Sequence, residues 1–111
     1  MRKVWPKKVI FYVDQKGHEP FAKWLNNLKD PLGYKKIIAR LRRLEQGNYG
    51  YCRSVGKGIL ELKINYGPGY RLYFVEKDDS IIILFSGGSK ETQKEDIKIA
   101  QLYWKEYGSN A

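Results

Sequence analysis

The sequence predicts an α+β fold: an antiparallel sheet of about four to five strands, an N-terminal helical hairpin and a C-terminal helix. Three observations predict it. Two alternating runs, residues 59–66 and 70–74, flank Gly67-Pro68-Gly69, a strong β-hairpin signal. Two stretches with apolar residues at helical spacing lie between residues 20 and 45, parted by Asp30-Pro31. A third helical stretch ends the chain. At 111 residues the expectation is one domain, residues 1–111.

Taken in order, residues 8–13 (Lys-Val-Ile-Phe-Tyr-Val) are β-branched and aromatic and predict a first strand. Asp14-Gln15-Lys16-Gly17 ends it as a turn. Pro20 opens a helix in the first turn, where its missing N–H costs nothing; Phe21, Trp24, Leu25 and Leu28 follow at helical spacing. His18 sits at that entry as a turn residue, with no partner nearby for catalysis. Asp30 caps a second helix that Pro31 begins. Its buried stripe is Tyr34, Ile37, Ile38, Leu41 and Leu44, and Gly47-Asn48 stops it. Lys36, Arg40 and Arg43 line another of its faces, either as a solvated surface or as a phosphate track.

The loop from Gly47 to Gly58 carries Arg53 and Lys57 but lacks the pattern of a Walker-type loop. In the hairpin, Leu60, Leu62, Ile64 and Tyr66 share one face of the first strand, and Leu72 and Phe74 one face of the second. Residues 76–80 turn into Ile81-Ile82-Ile83-Leu84-Phe85, whose lack of alternation predicts a strand covered on both faces. Gly87 and Gly88 are expected to turn the backbone sharply off this strand. The last helix is expected from about residue 91 to 107. Ile97, Ala100, Trp104 and Tyr107 form its apolar stripe, and Leu102 and Tyr103 widen it.

Net charge is +9 and the pI near 9.6, which points to a polyanion or an acidic partner rather than to an ordinary soluble surface. Residues 1–58 hold 14 Lys+Arg against 4 Asp+Glu, whereas residues 59–111 hold 7 against 8, so the basic character belongs to the N-terminal half. The single cysteine, Cys52, cannot form an internal disulfide, and a reducing cytoplasm is the simplest compartment. The charged start at residues 1–8 has no apolar core of signal-peptide length, and no apolar run is long enough to span a membrane. With one histidine and no Cys/His spacing, neither a metal nor another cofactor is expected.

If the hairpin's greasy faces meet one core, its other face gathers Glu61, Lys63, Arg71 and Tyr73. Metal-free RNA cleavage needs a base for the 2′-OH, an acid for the leaving 5′-oxygen and a cation on the phosphate. Arg71 suits the phosphate, because its planar fork grips two oxygens and never loses its charge. Lys63 suits charge stabilisation or proton transfer, Glu61 is a candidate base, and Tyr73 a candidate proton donor. Tyr70 and Tyr73 are candidates to stack on bases, and Lys90, just off a strand end, to hold an anion. From spacing alone the same residues also fit a surface ion pair of Glu61 with Lys63 or Arg71.

A family resemblance bears on that choice. The residues carrying it are Phe21-Ala22-Lys23-Trp24-Leu25, Ile38-Ala39-Arg40-Leu41-Arg42-Arg43-Leu44, Gly47-Asn48-Tyr49-Gly50, Val55-Gly56-Lys57-Gly58, Glu61-Leu62-Lys63-Ile64, Gly67-Pro68-Gly69-Tyr70-Arg71-Leu72-Tyr73-Phe74 and Gly87-Gly88-Ser89-Lys90, with Gln93 and Asp96-Ile97. Together they resemble the RelE/ParE toxin superfamily, most closely the HigB-like, phage-derived addiction module killer branch of type II toxin–antitoxin systems. The resemblance implies a RelE-like fold and a cytoplasmic, ribosome-dependent mRNA endoribonuclease that inhibits translation. It implies a cognate helix-turn-helix (HigA-like) antitoxin, contacts with ribosome and mRNA, and operator DNA reached only through the antitoxin. Arg71 matches the superfamily's phosphate-binding arginine, Lys63 a basic strand position associated with catalysis, and Lys90 the basic residue after the last strand. With these go candidate RNA contacts at Lys36, Arg40, Arg43, Arg53, Lys57, Tyr70 and Gln93. Two other functions fit the same fold: a ParE-like gyrase inhibitor, and a non-toxic DNA-binding co-repressor.

Overall fold

A computed structural model describes residues 6–109; the charged start at residues 1–5 lies outside the described residues. The order is β1 (Lys8–Phe11), α1 (Pro20–Asn26), α2 (Pro31–Glu45), β2 (Cys52–Ser54), β3 (Leu60–Ile64), β4 (Tyr70–Lys77), β5 (Ile81–Gly88), a 3₁₀ turn (Lys90–Thr92) and α3 (Gln93–Ser109). The strands form one sheet in the order β1-β5-β4-β3-β2. The expected α+β class and five strands are found, in an arrangement consistent with a RelE-like fold. One pairing differs from the all-antiparallel expectation. β1 runs parallel to β5, because the α1–α2 hairpin carries the chain away from β1 and the return to its edge is made only by β5.

Helices cover both faces. On one, Leu62, Ile64, Leu72, Phe74, Ile82 and Leu84 pack against Phe21, Leu25, Ile37, Leu41 and Leu44 of the helical hairpin. On the other, Ile59, Tyr73, Val75, Ile83 and Phe85 pack against Ala100, with Ile97, Tyr103, Trp104 and Tyr107 of α3 around them. The continuous apolar run of β5 follows from this double cover. Asp30 caps α2 as expected: Gly33 N–H donates to Oδ1 at 3.0 Å. Two expected core positions face out instead. Tyr34 is 39% exposed because Gly33, not Tyr34, meets the sheet, and Leu102 is 50% exposed on the outer face of α3.

The glycine pair also has a different cause from the one expected. Gly87 and Gly88 lie within β5, and neither has positive φ. A Cβ on Gly87 would lie 2.6 Å from ring carbons of Trp24, and one on Gly88 would lie 1.9 Å from Asp96 Oδ2. They admit a helix side chain on each face of the sheet rather than turning the chain. A bulge between Tyr73 and Phe74 skips Phe85 in the ladder with β5. Phe85 and Ser86 therefore both serve the α3 side, where Ser86 Oγ donates to the Asp96 carbonyl at 3.2 Å. Among the described residues, no helix is long and apolar enough to cross a membrane, and no His/Cys/Asp/Glu cluster is arranged to hold a metal ion.

Candidate functional site

Alternation along β3 and β4 puts Glu61, Lys63, Arg71 and Tyr73 on the α3 face, where register pairs Glu61 with Tyr73 and Lys63 with Arg71. The start of α3 divides this group. Gln93, its first residue, reaches down to the Glu61–Tyr73 pair, whereas Lys63 and Lys90 stay exposed.

Glu61 is only 3% exposed. Its Oε1 accepts from Arg53 Nε at 2.8 Å, and its Oε2 from Gln93 Nε2 at 2.9 Å and Tyr73 Oη at 3.0 Å. Arg71 Nε lies 3.8 Å from the same Oε2. Burial pushes the Glu61 pKa up, but the hydrogen bonds from Arg53, Gln93 and Tyr73 outweigh it and hold the carboxyl below its ordinary value. Tyr73 is fully buried, and burial together with its bond to Glu61 pushes its phenol far up.

Two expectations are corrected here. Glu61 does not lie on an open face as an available base: it is buried under α3 and accepts three hydrogen bonds from within the protein. Tyr73 is sealed beneath α3 with its hydroxyl donated to Glu61, not set on an open face for a substrate or a base. Tyr70 is also corrected as a stacking platform. It is buried on the opposite face, and its hydroxyl donates to Asp30 Oδ2 at 2.7 Å. Burial and that bond push its pKa up to about 12.

What remains open is a groove of about 380 Å³ at the end of the hairpin. Lys63, Arg71 and Lys90 line it together with Asn65, Tyr66 and the turn at 67–69. Arg71 is itself mostly buried and reaches the groove with its fork. Nη1 donates to the Gly69 carbonyl at 2.7 Å, and Nε is buried without a hydrogen bond among the described residues. Gly69 is needed twice over: its φ is +73°, and a Cβ there would lie 3.2 Å from Arg71 Nη1. The Lys90 N–H donates to the Pro68 carbonyl at 3.3 Å, which brings the strand end to the hairpin turn.

The electrostatics of the groove are one-signed. Lys63 and Arg71 are direct cross-strand partners, a like-charge arrangement that destabilises a sheet. Among the described residues no ion pair engages Lys63 or Lys90. Glu61 balances Arg53 and Arg71 from behind but does not line the groove. Such a charge arrangement suits an anion such as a phosphate group.

The other expected RNA contacts scatter. Lys36 and Arg43 are exposed on α2, and Lys36 Nζ lies 5.3 Å over the ring of Tyr66, at the groove's edge. Arg40 turns inward instead: its Nη2 donates to the Tyr49 carbonyl at 3.2 Å, and its Nε is buried. Arg53 and Gln93 each give a nitrogen to Glu61, so Gln93 is tied into the protein while Arg53 keeps an exposed side chain. Lys57 is exposed in the β2–β3 loop with φ 56°, beside Trp104 and Lys105 near the far end of α3 from Lys90. Asn65, Tyr66 and the turn carbonyls were missed as groove-lining groups. The available signal was the glycine-rich turn two residues before Arg71, close enough for a backbone carbonyl to meet the arginine.

Fold and groove together define an α+β protein with a cationic groove at one end of its sheet. The family model "Phage derived protein Gp49-like (DUF891)" matches residues 23–105, and the chain belongs to that family, which is associated with toxin–antitoxin toxins. The chain is also similar to a protein of Haemophilus influenzae described as an uncharacterized protein. The two are 46% identical over 88 residues, which cover 79% of this chain and 89% of the relative.

Proposed function

We propose that this protein is the toxin of a type II toxin–antitoxin module of the HigB-like kind, acting as a ribosome-dependent mRNA endoribonuclease. The observation that carries the reading is the convergence of Lys63, Arg71 and Lys90, from β3, β4 and the turn after β5, on one groove that no carboxylate lines. In this reading Arg71 holds the non-bridging oxygens of the scissile phosphate with its pre-set fork. The 2′-oxygen loses its proton and bonds to phosphorus, and the bond from phosphorus to the 5′-oxygen breaks. That oxygen leaves with a proton, giving a 2′,3′-cyclic phosphate and a 5′-hydroxyl. Lys63 and Lys90 flank the crowded phosphorus: one, as the free amine, takes the 2′-OH proton, and the other, as the ammonium, stabilises the phosphorane and gives a proton to the leaving 5′-oxygen. Lys36 and Arg43 extend the cationic track toward ribosomal RNA, and a helix-turn-helix antitoxin restrains the toxin in a cytoplasmic complex.

The test is expression without antitoxin, followed by primer extension on a translated message. The expected result is growth arrest with cuts inside translated codons, both abolished by Arg71→Ala. Intact messages during full arrest would contradict the reading. One observation favours a second, ParE-like reading as a gyrase-binding module: Glu61 and Tyr73, a possible base and acid, are both withdrawn from the groove. Inhibited supercoiling with RNA untouched is the outcome that separates it.

A further inference from the structure

We propose that Glu61 is a positioning residue, whose charge holds the Arg71 guanidinium in place at the groove, and that it exchanges no proton with the substrate. The proposal rests on the reading of the groove as an RNA phosphate site. A carboxylate behind an anion site opposes the anion by Coulomb repulsion. Its burial there needs a counterweight, and the geometry supplies one.

Arg71 leaves β4 diagonally across from Glu61, because Glu61 is paired with Tyr73 and Arg71 with Lys63. Two contacts orient its fork. The Gly69 carbonyl accepts from Nη1 at 2.7 Å, and the Glu61 carboxylate faces Nε at 3.8 Å. One is a hydrogen bond to backbone in the hairpin turn and the other a longer-range charge contact to a side chain on β3, so together they hold the guanidinium between the turn and β3.

Glu61 is held independently of Arg71. Arg53 on β2, Tyr73 on β4 and Gln93 on α3 all donate to it. Three separate elements thus fix the carboxylate, and the carboxylate fixes the arginine. This gives Gln93 a task as well: it ties the first turn of α3 to the residue that orients the phosphate clamp. Among the described residues no ion pair joins Asp96 to Arg71; the Asp96 Oδ2 accepts from Thr92 Oγ1 at 2.5 Å.

The sign of a single substitution decides the matter. Glu61→Gln keeps the size and one acceptor oxygen but removes the negative charge. If Glu61 acts only through its field, the variant binds RNA more tightly. If it positions Arg71, the variant binds more weakly.

The probe is a fluorescein-labelled, 2′-O-methylated single-stranded oligonucleotide, which cannot be cleaved, followed by anisotropy at fixed salt. We expect Glu61→Gln to weaken binding roughly tenfold, the scale at which outer partners of ligating side chains act. Gln93→Ala, which removes one of three donors, is expected to weaken it by less than Glu61→Gln does and serves if Glu61→Gln fails to fold. A second readout needs no RNA: the Arg71 Nε–H resonance in a ¹H–¹⁵N spectrum. It is expected to exchange slowly with water in the wild type and faster in either variant. Wild-type or tighter RNA binding by Glu61→Gln, or an unchanged Arg71 Nε–H in both variants, overturns the proposal. A wild-type protein that ignores the oligonucleotide while the Nε–H response holds overturns the RNA reading and leaves the positioning role of Glu61 standing.

Discussion

On the helical-hairpin face of the β3–β4 pair, Leu62, Ile64, Leu72 and Phe74 meet α1 and α2 along its whole length. On the α3 face the alternate residues of the same strands change character along the strand. Ile59 and Val75 are in an apolar core, Glu61 and Tyr73 are buried and hydrogen-bonded, and Lys63 is exposed opposite Arg71. The difference lies in the cover. α3 begins at Gln93, over the middle of the pair, so polar groups beneath it must satisfy one another and cations beyond it are left for a ligand. A polar residue's job here is set by where a helix starts.

The comparison can be broken most sharply on the dry face. Phe74→Ala is expected to cost about 3–5 kcal/mol in urea unfolding, as for other buried Phe truncations. Gly87→Ala comes next. Its Cβ would meet the rigid indole of Trp24, and overpacking of this kind costs about 1–3 kcal/mol. A smaller loss would mean that Trp24 moves aside freely.

On the α3 face the expected effects shrink and become pH-dependent. The Glu61 carboxyl is held below its ordinary value in the folded protein, so the unfolded chain takes up the proton first as pH falls. Its contribution is fully present above the unfolded pKa, about 4.3, and is lost as pH falls through the folded value. Glu61→Gln should therefore flatten the acid side of the stability–pH curve, measured by thermal unfolding between pH 2 and about 6 to span those pKa values. Asp96 works in the other direction: burial raises its pKa, so its protonation favours the folded state on the same side. Smallest of all is Lys63→Ala. It is expected to change stability by less than about 0.5 kcal/mol, because the exposed lysine faces a like charge and has no ion pair among the described residues.

Much of this was legible in local pattern. Alternation assigned Leu62 and Phe74 to one face and Lys63 and Arg71 to the other, and Asp30-Pro31 marked the start of α2. What local pattern could not give was the extent of cover. Glu61 and Lys63 look equivalent at a spacing of two, and only the place where α3 begins makes one buried and the other open. The unbroken apolar run of β5 did signal a layer on both faces, without saying how far it reached. The parallel β1–β5 pair was illegible for a related reason, since it joins residues some seventy positions apart and leaves no local trace. Gly87 and Gly88 misled because glycine has two uses, left-handed backbone and close approach, and the sequence does not separate them.

The most direct test of the groove as the working site uses a double variant, Lys63→Ala with Lys90→Ala, in a cell-free translation reaction mapped by primer extension. Both side chains are exposed, so the variant should keep the thermal stability of the wild type. The account predicts codon-internal cuts with the wild-type protein and none with the double variant. Cuts by that stable variant at the wild-type rate would contradict it.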